Sequence, residues 1–144
     1  AIASRAGVAR SSVYRHWGSV RDVVVSALDA RSTQPPPQAT QPPRERVVAI
    51  VAHLIEALDG PGGSLAIALA GAAEADPELA RLHHADNARR FAALVGAVSE
   101  AAPDVDARLA ASALAGAVAY RRLLFGEPLT TPDAEPLVAT VLGV

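Results

Sequence analysis

From Arg44 to Leu58 the apolar residues Val47, Ile50, Val51, Leu54, Ile55 and Leu58 recur at steps of three and four. That spacing places them on one side of an α-helix, and the run Gly60-Pro61-Gly62-Gly63 stops it. Ser64 is placed to cap the next helix, which runs to about Glu74. Asp76 followed by Pro77 is an N-cap with proline at the first helical position, and the helix it opens extends to about Ala101. Asp104 begins a helix expected to end at Gly126, and Thr131-Pro132-Asp133 repeats the start signal for a last one through Leu142. No segment alternates with the period of two that a strand needs, so the fold class predicted is all-α, a helical bundle.

The first thirty residues follow a different pattern. Ile2, Ala3 and Ala6 form a short apolar helical face, Gly7 can turn the chain through the left-handed region, and Val8 plugs the corner. A second short helix follows from about Arg10 to Trp17, burying Val13 and Trp17. Ser19 and Asp22, three apart, start a third helix that carries Val23, Val24, Ala27 and Leu28. This is a helix-turn-helix spacing, a shape that also occurs in helical proteins that never touch DNA. Between head and body lies Thr33 to Pro43, with five prolines and three glutamines, which reads as an extended connector. The domains expected are therefore a head at 1–32, a linker at 33–43 and a helical body at 44–144.

Charge sharpens the division. The net charge of −2 over 144 residues hides seven arginines against three carboxylates in residues 1–46, a charge of +4. Residues 47–144 hold six arginines against twelve carboxylates, a charge of −6. A basic head on an acidic body fits binding of a polyanion by the head alone. All thirteen basic residues are arginine and 33 residues are alanine, so arginine must be argued by position and not by its choice over lysine.

Composition also excludes much chemistry. There is no cysteine, hence no thiol catalysis or thiolate metal site, and without lysine the Gly-rich run before Ser64 cannot complete a phosphate-binding loop. No Gly-x-Ser-x-Gly or His-Glu-x-x-His occurs. His83 and His84 are neighbours in sequence and point apart, so they make no metal site. No catalytic residue, metal or cofactor is expected. The longest mostly apolar run, Leu109 to Tyr120, is far short of the ~20 residues of a membrane-spanning helix. A cytoplasmic location is the default expectation.

The string A-x-x-A-G-V-x-x-x-x-V-Y-R-H-W, ending at Trp17 and followed by Gly18-Ser19, resembles the DNA-binding segment of the TetR family of transcriptional regulators. The string AVAYRRLLFGEPLTTPDAEPLVATVLG, from Ala117, is similar to the end of one TetR C-terminal domain. The resemblance implies a further helix before Ala1 that packs on Ile2, Val13 and Trp17. It also implies a homodimer on a palindromic double-stranded DNA operator, released by a small-molecule effector. A recognition helix reads base edges near its N-terminus and meets phosphates further along, which makes Arg10, Ser11 and Ser12 candidates for base reading. Tyr14, Arg15 and His16 are candidates for phosphate contacts, the family usually making them at Tyr14 and His16. Val20 stands where family members usually carry lysine, and Arg21 is the candidate replacement.

In the body, small and apolar residues along one side of the helix after Asp104, Leu109, Ala113, Gly116, Ala117 and Tyr120, permit close approach of another helix. The resemblance implies that this side and Leu137, Val138 and Val141 of the last helix pair with a second copy as the dimer interface; the alternative is that both faces pack within one chain. On the helix from Pro77, His83 and Asn87 interrupt an apolar stripe that includes Phe91. They fit either a ligand pocket or the place where the helix leaves the core. Arg121 and Arg122 either reach into that pocket or hold the bend before Gly126, and Asp86 with Arg90 reads as a surface ion pair. The alternative to a DNA-binding regulator is a helical dimerisation or small-molecule-binding protein without DNA affinity; a helical enzyme is a distant third.

Overall fold

The structure, a computed structural model, describes residues 18, 22, 26, 40–59, 63, 64, 67, 70, 71 and 73–143. Within the head, Asp22 and Ser26 are helical and exposed, in the interval where the third head helix is predicted. The predicted recognition helix, Arg10 to Trp17, lies outside the described residues. The protein is all-α, with no strand among those residues.

Among the described residues the body contains the helices α1 (Pro43–Asp59), α2 (Pro77–Ala101), α3 (Ala107–Tyr120) and α4 (Ala134–Leu142). A π turn (Arg121–Phe125) extends α3, and a 3₁₀ turn (Thr131–Asp133) opens α4. Gly63, Ser64, Ile67, Ala70, Gly71 and Ala73 are helical as well; because Gly63 is already helical, Ser64 sits inside that helix and does not begin it.

α1 is the centre of the packing and touches α2, α3 and α4. Its Val47, Val51 and Ile55 are buried, four residues apart, while Ile50, Leu54 and Leu58 flank them half-buried. Leu94, Ala97 and Val98 of α2, Ala110, Ala111, Leu114 and Val118 of α3, and Ala134, Val138 and Leu142 of α4 complete the core. The many alanines let helices approach closely, with Leu and Val filling the space between them.

The helix starts obey local chemistry. The Asp76 carboxylate accepts from the backbone N–H groups of Glu78 and Leu79 at 3.0 and 3.1 Å, and Pro77 supplies the first helical residue as predicted. α3 starts two residues later than expected. Pro103-Asp104 belongs to the turn closed by the Val105 N–H on the Ala102 carbonyl, and Asp106 is the cap, accepting from Leu109 N–H at 2.9 Å. At the other end Gly126, with φ 67°, stops the π turn where the sequence placed the stop. The cap before α4 is Thr130 and not Thr131: the Asp133 carboxylate accepts from both its N–H and its hydroxyl, at 2.7 and 2.6 Å.

Polar contacts fix α1 at both ends. Arg44 pairs with Glu135 of α4 at 2.5 Å and Arg46 with Glu100 near the end of α2. Farther along, Thr131 Oγ1 reaches Glu56 at 3.4 Å, and Arg122 Nε donates to the Leu58 carbonyl at 3.2 Å. Of the two roles open to the arginine pair, Arg122 therefore holds the bend. Arg121 is exposed and pairs with Glu127 at 3.4 Å.

Candidate functional site

α3 has two apolar sides. Ala110, Ala111, Leu114 and Val118 face the core, whereas Leu109, Ser112, Ala113, Gly116 and Tyr120 face outward and are exposed, with Ala117 half-buried between them. Leu109 is 69% exposed and Tyr120 54%. The π turn continues the outer side with exposed Leu123, Leu124 and Phe125, and Phe125 meets Tyr120 edge-to-face with centroids 5.3 Å apart. On α4, Leu137 and Val141 are half-buried.

Two hydroxyls on this face are already bonded within their own helices. Ser112 donates to the Arg108 carbonyl and exposed Thr140 to the Pro136 carbonyl, each at 2.8 Å. Both are thereby satisfied inside their own helices, so covering them with an apolar partner leaves no unpaired donor. A Cβ on Gly116 would meet nothing within 4 Å, so the space over the middle of α3 is open to another backbone. Its exposed apolar side chains make this face the candidate interaction surface.

Of the residues expected at the interface, Leu109, Ala113, Gly116 and Tyr120 are exposed and Ala117, Leu137 and Val141 are half-buried. Val138 is a correction. It is fully buried in the chain, because Ala134, Val138 and Leu142 form the inward stripe of α4, and it has no surface to offer a partner. Sequence reasoning missed Leu123, Leu124 and Phe125. An uninterrupted α-helix would have carried part of this apolar triplet inward, whereas the π turn leaves all three outside.

The second candidate region is the first half of α2. The Asn87 amide donates to His83 Nε2 at 3.0 Å, one helical turn apart, with His83 half-buried and Asn87 exposed. Phe91 packs against the core and lies under the Arg108 guanidinium of α3, 5.6 Å from its ring centroid. His83 and Asn87 are thus brought together, while the contacts of Phe91 and Arg121 go to Arg108 and Glu127.

Asp86 overturns the surface ion-pair expectation. It is only 5% exposed, with its carboxylate accepting from Arg90 Nε at 3.0 Å and from Arg89 at 3.3 Å. A carboxylate can be buried here because two guanidiniums, three and four residues on, supply the opposing charge. The signal was present in the spacing: Asp86 lies two turns after the buried Leu79 and eight residues before the buried Leu94, on the inward stripe. The candidate DNA contacts Arg10, Ser11, Ser12, Tyr14, Arg15, His16 and Arg21 lie outside the described residues.

No helix among the described residues is long and apolar enough to cross a membrane, and no group of three or more potential metal ligands occurs among them. The family model of the tetracyclin repressor-like C-terminal domain matches residues 37–141. No curated protein matches the chain.

Proposed function

Since the chain belongs to the TetR family, whose tetracyclin repressor-like C-terminal domain accounts for residues 37–141, we propose that it is a DNA-binding transcriptional regulator acting as a homodimer. The family is one of regulators and not of enzymes. The family match is the observation that carries the reading, and the basic head with its Val13-Tyr14-Arg15-His16-Trp17 string supports it. Its recognition helix enters the major groove. There Arg10, Ser11 and Ser12 meet base edges, and Tyr14, Arg15, His16 and Arg21 meet phosphates.

One head offers too little surface for specificity, so two copies address half-sites ~34–36 Å apart, one turn of DNA. The outer face of α3 with Leu137 and Val141 of α4 joins the copies. The regulator is a repressor, released when a small molecule binds the body at the His83–Asn87 cluster of α2. Such a ligand weakens DNA binding only through its differential affinity for the DNA-competent and DNA-incompetent arrangements of the two heads.

The test is binding of the full-length protein to a fluorescent palindromic duplex drawn from its own promoter region. Affinity is expected to fall with salt with a slope of ~−0.9 per neutralised phosphate, and to drop when Tyr14 or Arg15 is changed to Ala. Equal, weak affinity for every duplex, or indifference to both substitutions, refutes the reading in favour of a dimerisation or ligand-binding protein without DNA affinity.

A further inference from the structure

We propose that Arg122 couples the outer apolar face to the end of α1, so that assembly of two copies and anchoring of the last turn of α1 strengthen each other. The proposal rests on the reading of that face as the contact between two copies. Two observations converge on one carbonyl, that of Leu58. It belongs to the last turn of α1, whose carbonyls have no partner inside the helix, and Arg122 Nε donates to it at 3.2 Å across 64 residues of sequence. A guanidinium at a helix C-terminus is also favoured by the helix dipole. Gly63 closes on the same group: a Cβ on this buried glycine would lie 1.8 Å from the Leu58 oxygen. The end of α1 is therefore held between Gly63 and the π turn.

The turn that carries Arg122 is a tight unit. The Gly126 and Glu127 N–H groups both donate to the Arg121 carbonyl, and the Arg121 and Glu127 side chains pair across it at 3.4 Å. On this unit Arg122 is half-buried against α1, while the next three residues, Leu123, Leu124 and Phe125, are exposed, Leu124 by 70%. Five residues closed in this way move together. A second copy that covers Leu123 and Leu124 fixes the turn, and the turn fixes the guanidinium over Leu58. Linkage makes the effect reciprocal: whatever assembly adds to the hold on α1, loss of that hold takes from assembly.

The experiment uses the full chain with Arg122→Gln and Arg122→Lys, measuring the dimer dissociation constant by sedimentation over a dilution series and amide hydrogen exchange of residues 55–59 at both ends of it. Arg122→Gln is expected to raise the dissociation constant about tenfold, and Arg122→Lys, which keeps a cationic donor, to recover most of the loss. In the unmodified chain, exchange at 55–59 should speed up on dilution to monomer; in Arg122→Gln it should be fast at every concentration. Leu79→Ala, which removes a buried side chain at the far end of α2, controls for general loss of stability and should leave the dissociation constant within about twofold. A dimer indifferent to Arg122→Gln, or exchange at 55–59 that ignores concentration, overturns the coupling and leaves the assembly reading standing. Monomer at all concentrations overturns both.

Discussion

The inner and outer sides of α3 are built from the same kinds of residue and do different things. Inside, Ala110, Ala111, Leu114 and Val118 are closed off by α1, α2 and α4; outside, Leu109, Ala113, Gly116 and Tyr120 are exposed, with Tyr120 edge-to-face on Phe125. Hydrophobicity does not separate the two sides. Shape does: the inner side carries branched side chains between alanines, giving interlocking volume, whereas the middle of the outer side is nearly smooth and is flanked by bulky Leu109 and Tyr120. A smooth strip with bulky ends lets a second backbone come near, and an interlocking one has already spent its surface.

Cutting into each side separates the roles most strongly. Leu114 is fully buried, and Leu114→Ala is expected to cost about 2–5 kcal/mol, read as a fall in the urea midpoint at constant slope. Gly116→Glu, two residues away, meets open space, so the monomer should fold as well as before while sedimentation shows the dimer lost. Equal damage to folding by both changes would erase the distinction between the sides.

A smaller effect is expected where the two sides are handed over to the π turn. Gly126 holds φ 67°, which a side chain tolerates poorly, so Gly126→Ala should destabilise by about 1 kcal/mol. Because the same turn displays Leu123 and Leu124, the dimer should weaken along with the fold. A loss of stability with unchanged dimerisation would confine the outer face to α3 itself.

How much of this was legible in the sequence depends on the range of the signal. The faces of α1, the Asp76-Pro77 start and the Gly126 stop are local, set by residues within one or two turns, and they stand in the structure as read. The start of α3 was misplaced by two residues because Asp104 and Asp106 are both chemically competent caps, and only the turn closed on Ala102 chooses between them. The inward position of Val138 depends on which neighbour a helix meets, which periodicity along one helix does not specify, whereas the burial of Asp86 follows from its spacing to Leu79 and Leu94. The Arg122 contact with Leu58 spans 64 residues and left no local trace. For the proposed assembly face, α3 was readable from its small residues, and Leu123 and Leu124 follow Tyr120 at three and four residues on the same side; only the outward Phe125, seven residues after the buried Val118, required the π geometry.

The smallest effect concerns the reversal that brings α4 back beside α3. Asp133 accepts from the Thr130 N–H and hydroxyl, and these bonds, the hydroxyl's first, hold its carboxyl below the ordinary 3.8, with Arg121 adding a weaker pull in the same direction. A carboxyl acidified by folding stabilises the folded state while it is ionised. Its contribution is therefore complete above pH 3.8 and is lost as pH falls through the depressed value. Thermal unfolding of the unmodified chain and of Asp133→Asn should differ at pH 7 and converge in acid below that point. Since the bonds are made within the turn that opens α4, the dimer dissociation constant at pH 7 should be unchanged by the substitution. A marked shift in that constant would mean that the chain reversal, and not only the faces of α3 and α4, belongs to the assembly surface.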